Sequence, residues 1–153
     1  MTDAASSTLL AVLLLAAVGD VRSRKIPNRL ILSGLALSLG FVLGGALPLG
    51  QFLGGLLLGG CCFLPLYLRG VLGAGDVKLM ALAGSFLGLK AALVSVLLTT
   101  LSGGALALFY LGFMSSTTLP YAAAILLGVS GYLWLVHYAP HALLVFFGPL
   151  GTP

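Results

Sequence analysis

The sequence predicts an all-α, polytopic membrane protein with about six transmembrane helices. Hydrophobic residues make up 60% of the 153 residues and charged residues only 7%. Soluble domains carry about 25% charged residues, because their surface must face water. The mean hydropathy of +1.20 agrees with a chain that is apolar throughout. This composition excludes a soluble globular domain and a disordered chain, and the net charge of +4 is too sparse for a nucleic-acid-binding surface.

Charges, prolines and glycines divide the chain into successive apolar segments. The predicted spans are 4–19, 30–47, 51–68, 77–89, 91–113 and 120–138. Since a helix needs about 20 mostly apolar residues to cross a bilayer, the short fourth span is expected to be sheltered by its neighbours. Only Lys90 separates the fourth span from the fifth, which predicts a tight turn. We expect residues 1–153 to form one membrane-embedded domain.

The basic residues predict how this domain is oriented. Those that would share one side are Arg22, Arg24, Lys25, Arg29, Arg69 and Lys78. The opposite side would hold only Lys90. Because connections rich in Lys and Arg stay in the cytoplasm, we expect the first and third connections to be cytoplasmic and both chain ends to lie outside.

Many of the 22 glycines recur at the spacing of one helical turn inside apolar segments. The pairs are Gly40/Gly44, Gly50/Gly54, Gly55/Gly59 and Gly84/Gly88. This spacing puts both glycines on one helix face and lets two backbones approach closely. It predicts tight packing within the chain, and dimerisation is the alternative use of the same pattern.

No metal site or cofactor is predicted. Cys61 and Cys62 are adjacent, without the spacing of a metal-binding CxxC pair, and are expected to be small packing residues inside a span. His137 and His141 are separated by Pro140 and have no carboxylate with them.

Apart from Asp3, the only acidic residues are Asp20 and Asp76, and the orientation above places both at the cytoplasmic membrane boundary. Carboxylates near hydrocarbon are costly and are therefore candidates for function. In an aspartic protease, one carboxylate deprotonates water while its protonated partner polarises the scissile carbonyl. At about 5 Å and an effective dielectric constant of about 20, two negative charges repel by roughly 3 kcal/mol, which favours keeping one proton on the pair.

Charge neutralisation is the structural alternative for the two aspartates. Asp20 could pair with Arg22 or Arg24, and Asp76 could pair with Lys78. A small transporter or proton-coupled channel is a further alternative, and it predicts carboxylates near the middle of the bilayer. A structural subunit of a secretion machine is another.

The residues around the aspartates add local expectations. Gly73 and Gly75 permit a turn with close backbone approach before Asp76. Pro27 and Asn28 suit a helix entry, with Asn28 as the N-cap.

Three segments resemble the type IV prepilin peptidases of the GxGD aspartic class. They are DVRSRKIPN at residues 20–28, GAGDVKL at residues 73–79, and LPY at residues 119–121. The first is similar to the D-x-R-x-x-x-I-P-N stretch of that family, the second to its GxGDxK stretch, and the third to its Pro-aromatic signature.

The resemblance implies a membrane aspartic endopeptidase that removes the short basic leader of prepilins or pseudopilins after a small residue, typically Gly, at the cytoplasmic membrane face. The implied catalytic pair is Asp20 and Asp76. The supporting motif positions are Gly73, Gly75, Lys78, Arg22, Ile26, Pro27 and Asn28. The implied partners are a prepilin and the lipid bilayer.

One departure refines this expectation. Longer family members carry an N-terminal extension with two CxxC pairs and also methylate the new pilin N-terminus, whereas this sequence has no CxxC. It is similar to the short enzymes that serve Flp-type pili. We therefore expect peptidase activity without bound zinc, and do not expect the methyltransferase activity.

Overall fold

A computed structural model describes residues 3–23, 26–113 and 121–139. Across these ranges the regular elements are α-helices and none is a strand, which confirms the predicted all-α class. The helices are α1 (Asp3–Ser23), α2 (Asn28–Leu43), α3 (Leu49–Leu68), α4 (Ala74–Leu87), α5 (Leu89–Phe113) and α6 (Tyr121–Tyr138).

The helices differ in whether their length suits a bilayer. By length and apolar composition, α1, α3, α5 and α6 can each cross a membrane. The remaining two, α2 with 16 residues and α4 with 14 residues, are shorter than the roughly 20 residues that a crossing needs. Four apolar helices of this kind make the chain an integral membrane protein.

The shortest helix, α4, occupies the centre of the bundle. It contacts each of the other five helices, and most of its residues are buried. The expectation that this segment is sheltered by its neighbours is confirmed. Because α4 is surrounded by protein rather than by lipid, the thickness of the bilayer does not set its length.

Glycine brings α3 and α4 into backbone contact. A methyl group built on Gly55 would collide with the main chain of Gly84, and one on Gly59 would collide with the carbonyl group of Met80. The prediction of tight internal packing is confirmed at these positions. Gly40 and Gly50, by contrast, have no other atom within 4 Å of such a methyl group, so neither glycine packs against another described helix, although a methyl group on Gly54, the partner of Gly50, would lie 3.4 Å from the Leu89 side chain of α5.

The connection between α4 and α5 is a tight turn, as predicted, but it lies earlier than expected. Gly88 has a φ of 81°, a left-handed conformation that favours glycine. The side-chain oxygen of Gln51, on α3, accepts the Leu89 N–H at 3.0 Å and satisfies one free donor at the start of α5. Lys90 therefore lies in the first turn of α5 rather than between the helices.

Two further expectations need correction. The second span was predicted to reach residue 47, but α2 ends at Leu43, because the chain turns at Gly45 with a φ of 74° and Pro48 then caps α3. Cys61 and Cys62 do lie inside α3, yet both are exposed on the outside of the bundle and are not packing residues.

Candidate active site

Asp20 lies near the end of α1 and contacts the beginning of α6. Its Oδ2 atom accepts a hydrogen bond of 3.3 Å from the backbone N–H of Ala122, the second residue of α6. The first N–H groups of a helix have no partner within the helix, and this end of the helix dipole is positive. The start of α6 therefore supplies Asp20 with a hydrogen-bond donor.

Asp76 lies in the first turn of α4 and is only 9% exposed. Its Oδ2 atom accepts a 3.0 Å hydrogen bond from the N–H of Gly73, the residue that caps the helix. A carboxylate at the third helical position that reaches back to the cap is half of a capping box, which explains why GAGD begins a helix.

The environment of Asp76 favours its protonated form. Burial raises the pKa of Asp76 from its ordinary value of 3.8 to about 6; the Gly73 hydrogen bond opposes the rise, and the negative charge of Asp20 adds to it. Asp76 lies outside the four helices that can cross a membrane.

The fold brings the two aspartates to one end of the bundle. Asp20 comes from the end of α1 and Asp76 from the beginning of α4, and the two carboxylates interact electrostatically. Both stand near helix ends rather than in mid-helix, which disfavours the transporter alternative, since that alternative needs acids near the middle of the bilayer.

The segments that carry the two aspartates also contact each other. A methyl group on Gly75 would lie 3.3 Å from two carbon atoms of Ile26, so glycine leaves room for the isoleucine. The Lys78 ammonium group donates a 3.1 Å hydrogen bond to the Asn28 side-chain oxygen. The prediction that Asn28 caps α2 is wrong: Pro27 occupies the cap position and Asn28 is the first helical residue, with its side chain turned to Lys78.

The described residues give no support to the alternative that the two aspartates form ion pairs. Lys78 contacts Asn28 rather than Asp76, and Arg22 is exposed. Within residues 3–23, 26–113 and 121–139, no Lys or Arg nitrogen lies within 4.0 Å of either carboxylate. Arg24 and Lys25, which were also expected in this region, fall outside the part of the chain that the structure describes.

A groove of about 470 Å³ runs along α1, and the residues that line it are close to Asp20 in the sequence. The described residues that line it are Ala17, Val18, Val21 and Arg22. At about 100° per residue, the centre of this face lies roughly 130° around the helix from Asp20. Neither Asp20 nor Asp76 lines the groove. Among the residues with described positions, no group of three or more metal-ligating side chains occurs.

Comparison with known families agrees with the sequence resemblance. The model of the type IV leader peptidase family matches residues 7–108, about two thirds of the chain. This chain belongs to the type IV leader peptidase family. Searches of curated proteins and of solved structures gave no match.

Membership in the leader peptidase family has general consequences. The protein is a membrane-embedded peptidase with a protein substrate, and both aspartate-bearing segments fall inside the matched region. The third segment lies beyond that region, and its Leu119 and Pro120 fall outside the described residues. Tyr121, the last residue of that segment, is described and begins α6.

One feature of this leader peptidase was not expected from its sequence. The Ala122 N–H that reaches Asp20 belongs to the main chain, which every residue except proline possesses, so no residue type marks it. The LPY segment was the only available signal, since it opens the last predicted span and resembles a family signature, but it indicates no contact with Asp20.

Removing the hydrogen bond between the two segments should weaken the leader peptidase without inactivating it. Exposed side-chain pairs contribute about 0.5–1.5 kcal/mol, so we expect Lys78→Ala and Asn28→Ala each to lower kcat/KM by about two- to ten-fold. Because each variant breaks the same bond, the double variant should lose little more than either single variant. Cleavage rates of all three check this.

Lys90→Ala is the matched control, because Lys90 is an equally exposed lysine at the start of α5. It should leave the cleavage rate unchanged. Losses that multiply in the double variant would contradict the coupling of Lys78 and Asn28.

Proposed function

We propose that this leader peptidase is an aspartic endopeptidase that removes the short basic leader of Flp-like prepilins or pseudopilins, with Asp20 and Asp76 as its catalytic pair. One observation carries the proposal: two carboxylates from different helices interact at one end of the bundle in unlike surroundings. Asp76 is buried, whereas Asp20 is partly exposed and receives an N–H from a helix start.

The unlike surroundings support distinct roles for the two carboxylates. A buried carboxyl that keeps its proton is suited to act as the acid, and its more exposed partner is left to act as the base. Burial favours the protonated form of Asp76, whereas Asp20 is partly exposed and accepts the Ala122 N–H. We therefore assign Asp20 as the base and Asp76 as the acid.

The reaction follows from these roles. Asp20 takes a proton from water as the water oxygen bonds to the scissile carbonyl carbon, and Asp76 gives its proton to the carbonyl oxygen. When the tetrahedral intermediate collapses, the C–N bond breaks and the amide nitrogen takes the proton held by Asp20. A hydroxyl proton of the intermediate then returns to Asp76. One water is consumed, and a carboxylic acid and an amine are released.

The distribution of charge supports a cytoplasmic position for the site. Four basic residues stand at the helix ends that share a side of the bundle with the aspartates. They are Arg22 at the end of α1, Arg29 at the start of α2, Arg69 after α3 and Lys78 at the start of α4. Lys90 stands at the start of α5, at the other end of α4. Under the positive-inside rule, the end that holds the carboxylates faces the cytoplasm, at the inner membrane.

Co-expression with a candidate Flp-type prepilin tests the proposed function. The intact mass of the pilin should fall by the mass of its leader. A prepilin in which the glycine before the cleaved bond is replaced by leucine provides the control, and its mass should not change. An unchanged mass for the native prepilin would contradict the proposal and favour a different substrate or a non-proteolytic role.

The rate of cleavage should depend on pH in a direction set by Asp76. Below a pH of about 6 Asp76 keeps the proton that the reaction needs, and above it both carboxylates become charged and no acid remains. We expect kcat/KM to fall by about ten-fold per pH unit on this limb, with an apparent pKa that belongs to the pair. Initial rates in proteoliposomes between pH 4.5 and 8.5 measure it.

Circular dichroism at each pH separates titration from unfolding. The helical signal should stay constant across the range over which the rate falls. A rate that does not fall between pH 6 and 8 would contradict the role of Asp76 as the acid.

A further inference from the structure

Contacts with α3 and α5 fix the first turn of α6. The ring of Tyr121 packs edge-to-face on Phe63 of α3, with ring centroids 6.0 Å apart and an angle of 70° between the rings. On the α5 side, a methyl group on Gly103 would lie 2.6 Å from the Tyr121 hydroxyl oxygen, so only glycine leaves space for the tyrosine there.

A hydrogen bond between α5 and α6 fixes the same turn. The Ser102 hydroxyl donates to the Ala124 carbonyl oxygen at 2.9 Å. Ser102 and Gly103 are neighbours on α5, and Tyr121 and Ala124 are one turn apart on α6. The space at Gly103 and the hydrogen bond from Ser102 together fix the position of the start of α6 along α5.

This turn lies against the catalytic pair. Between Tyr121 and Ala124, the Ala122 N–H donates to Asp20 at 3.3 Å, and the charge of Asp76 reaches Tyr121 electrostatically. Because that bond is already longer than most N–H···O hydrogen bonds, a small displacement of the turn away from Asp20 would break it.

We propose that Tyr121 is a positioning residue of the active site: docked between Phe63 and Gly103, its ring holds the start of α6 where Ala122 donates to Asp20. The inference rests on the proposed function and adds a residue to it. Tyr121 acts through the main chain of its neighbour, so its ring matters for this role and its hydroxyl group does not.

The substitution that tests this most directly is Gly103→Ala, because it pushes the tyrosine ring without changing any polar group. Gly104→Ala is the matched control: Gly104 is the next residue on α5, it is exposed, and a methyl group there would have no other atom within 4 Å. A second pair of variants acts on the ring itself. Tyr121→Leu removes the ring without adding a clash, and Tyr121→Phe keeps it.

The readouts are kcat and KM for cleavage of one Flp-type prepilin in proteoliposomes. Loss of a hydrogen bond to a charged group predicts that Gly103→Ala and Tyr121→Leu lower kcat by about ten-fold, with KM little changed. Tyr121→Phe and Gly104→Ala should behave like the wild type.

Each remaining result would overturn the inference in a distinguishable way. An unchanged kcat in both Gly103→Ala and Tyr121→Leu would overturn it and leave the proposed function standing. An equal loss in Tyr121→Phe and Tyr121→Leu would assign the effect to the hydroxyl group. A wild-type protein that cleaves no prepilin would overturn the proposed function and this inference with it.

Discussion

Cleavage should be lost in both Asp20→Asn and Asp76→Asn, while each variant still inserts and accumulates. Asparagine has an amide oxygen in place of a carboxylate oxygen, so it can still accept the N–H of Ala122 or of Gly73. It cannot exchange a proton, which removes the base in one variant and the acid in the other. The expected loss of kcat/KM is about 10²–10⁴-fold for each.

The chain offers a matched control for this test. Asp3 is the third acidic residue and stands, exposed, at the start of α1, far along the helix from Asp20. Asp3→Asn removes the same charge and should cleave at the wild-type rate, as the intact mass of the pilin would report. A loss confined to one of the two site aspartates would contradict a paired mechanism.

The largest effect on stability is expected from Gly55→Ala. The new methyl group would have to occupy the position of the Gly84 main chain on α4, and a backbone cannot move aside as a side chain can. Overpacking a core costs about 1–3 kcal/mol, and contact with a backbone puts this variant at the upper end. The folded fraction after heating in detergent, measured by size-exclusion chromatography, should fall clearly below that of the wild type.

Gly60→Ala separates this effect from the general effect of alanine in a helix. Gly60 also lies within α3, and its methyl group would meet only the Ala81 side chain at 3.5 Å, an ordinary contact. Its stability should therefore match or exceed that of the wild type, since alanine favours helix more than glycine does. Equal stability of the Gly55 and Gly60 variants would mean that α3 and α4 are not in backbone contact.

The helices could be predicted well because hydropathy belongs to each residue and can be read along the chain without knowledge of the packing. Six apolar segments correspond to six helices in the described chain, although α2 ends earlier than predicted. The central position of α4 was harder to predict from the sequence, because its burial depends on contacts with five other helices and not on its own composition. The glycines show the same limit. Gly55 and Gly40 belong to equivalent pairs in the sequence, yet only Gly55 meets another backbone.

The candidate site could be predicted only as far as its side chains carry the proposed chemistry. Asp20 and Asp76 were the obvious candidates, because carboxylates are rare in so apolar a chain. The partner of Asn28 could not be predicted, since local capping and a long-range bond to Lys78 use the same amide oxygen. The Ala122 N–H could not be predicted either, because its position depends on how α5 and α6 pack.

The family match ends at residue 108, whereas α6 begins at Tyr121. The matched region therefore contains both aspartates but not the helix start that bonds to one of them. Two proteins could share every matched residue and still differ in the last helix. Grouping such proteins by the matched segment would combine enzymes that hold their first aspartate through different contacts.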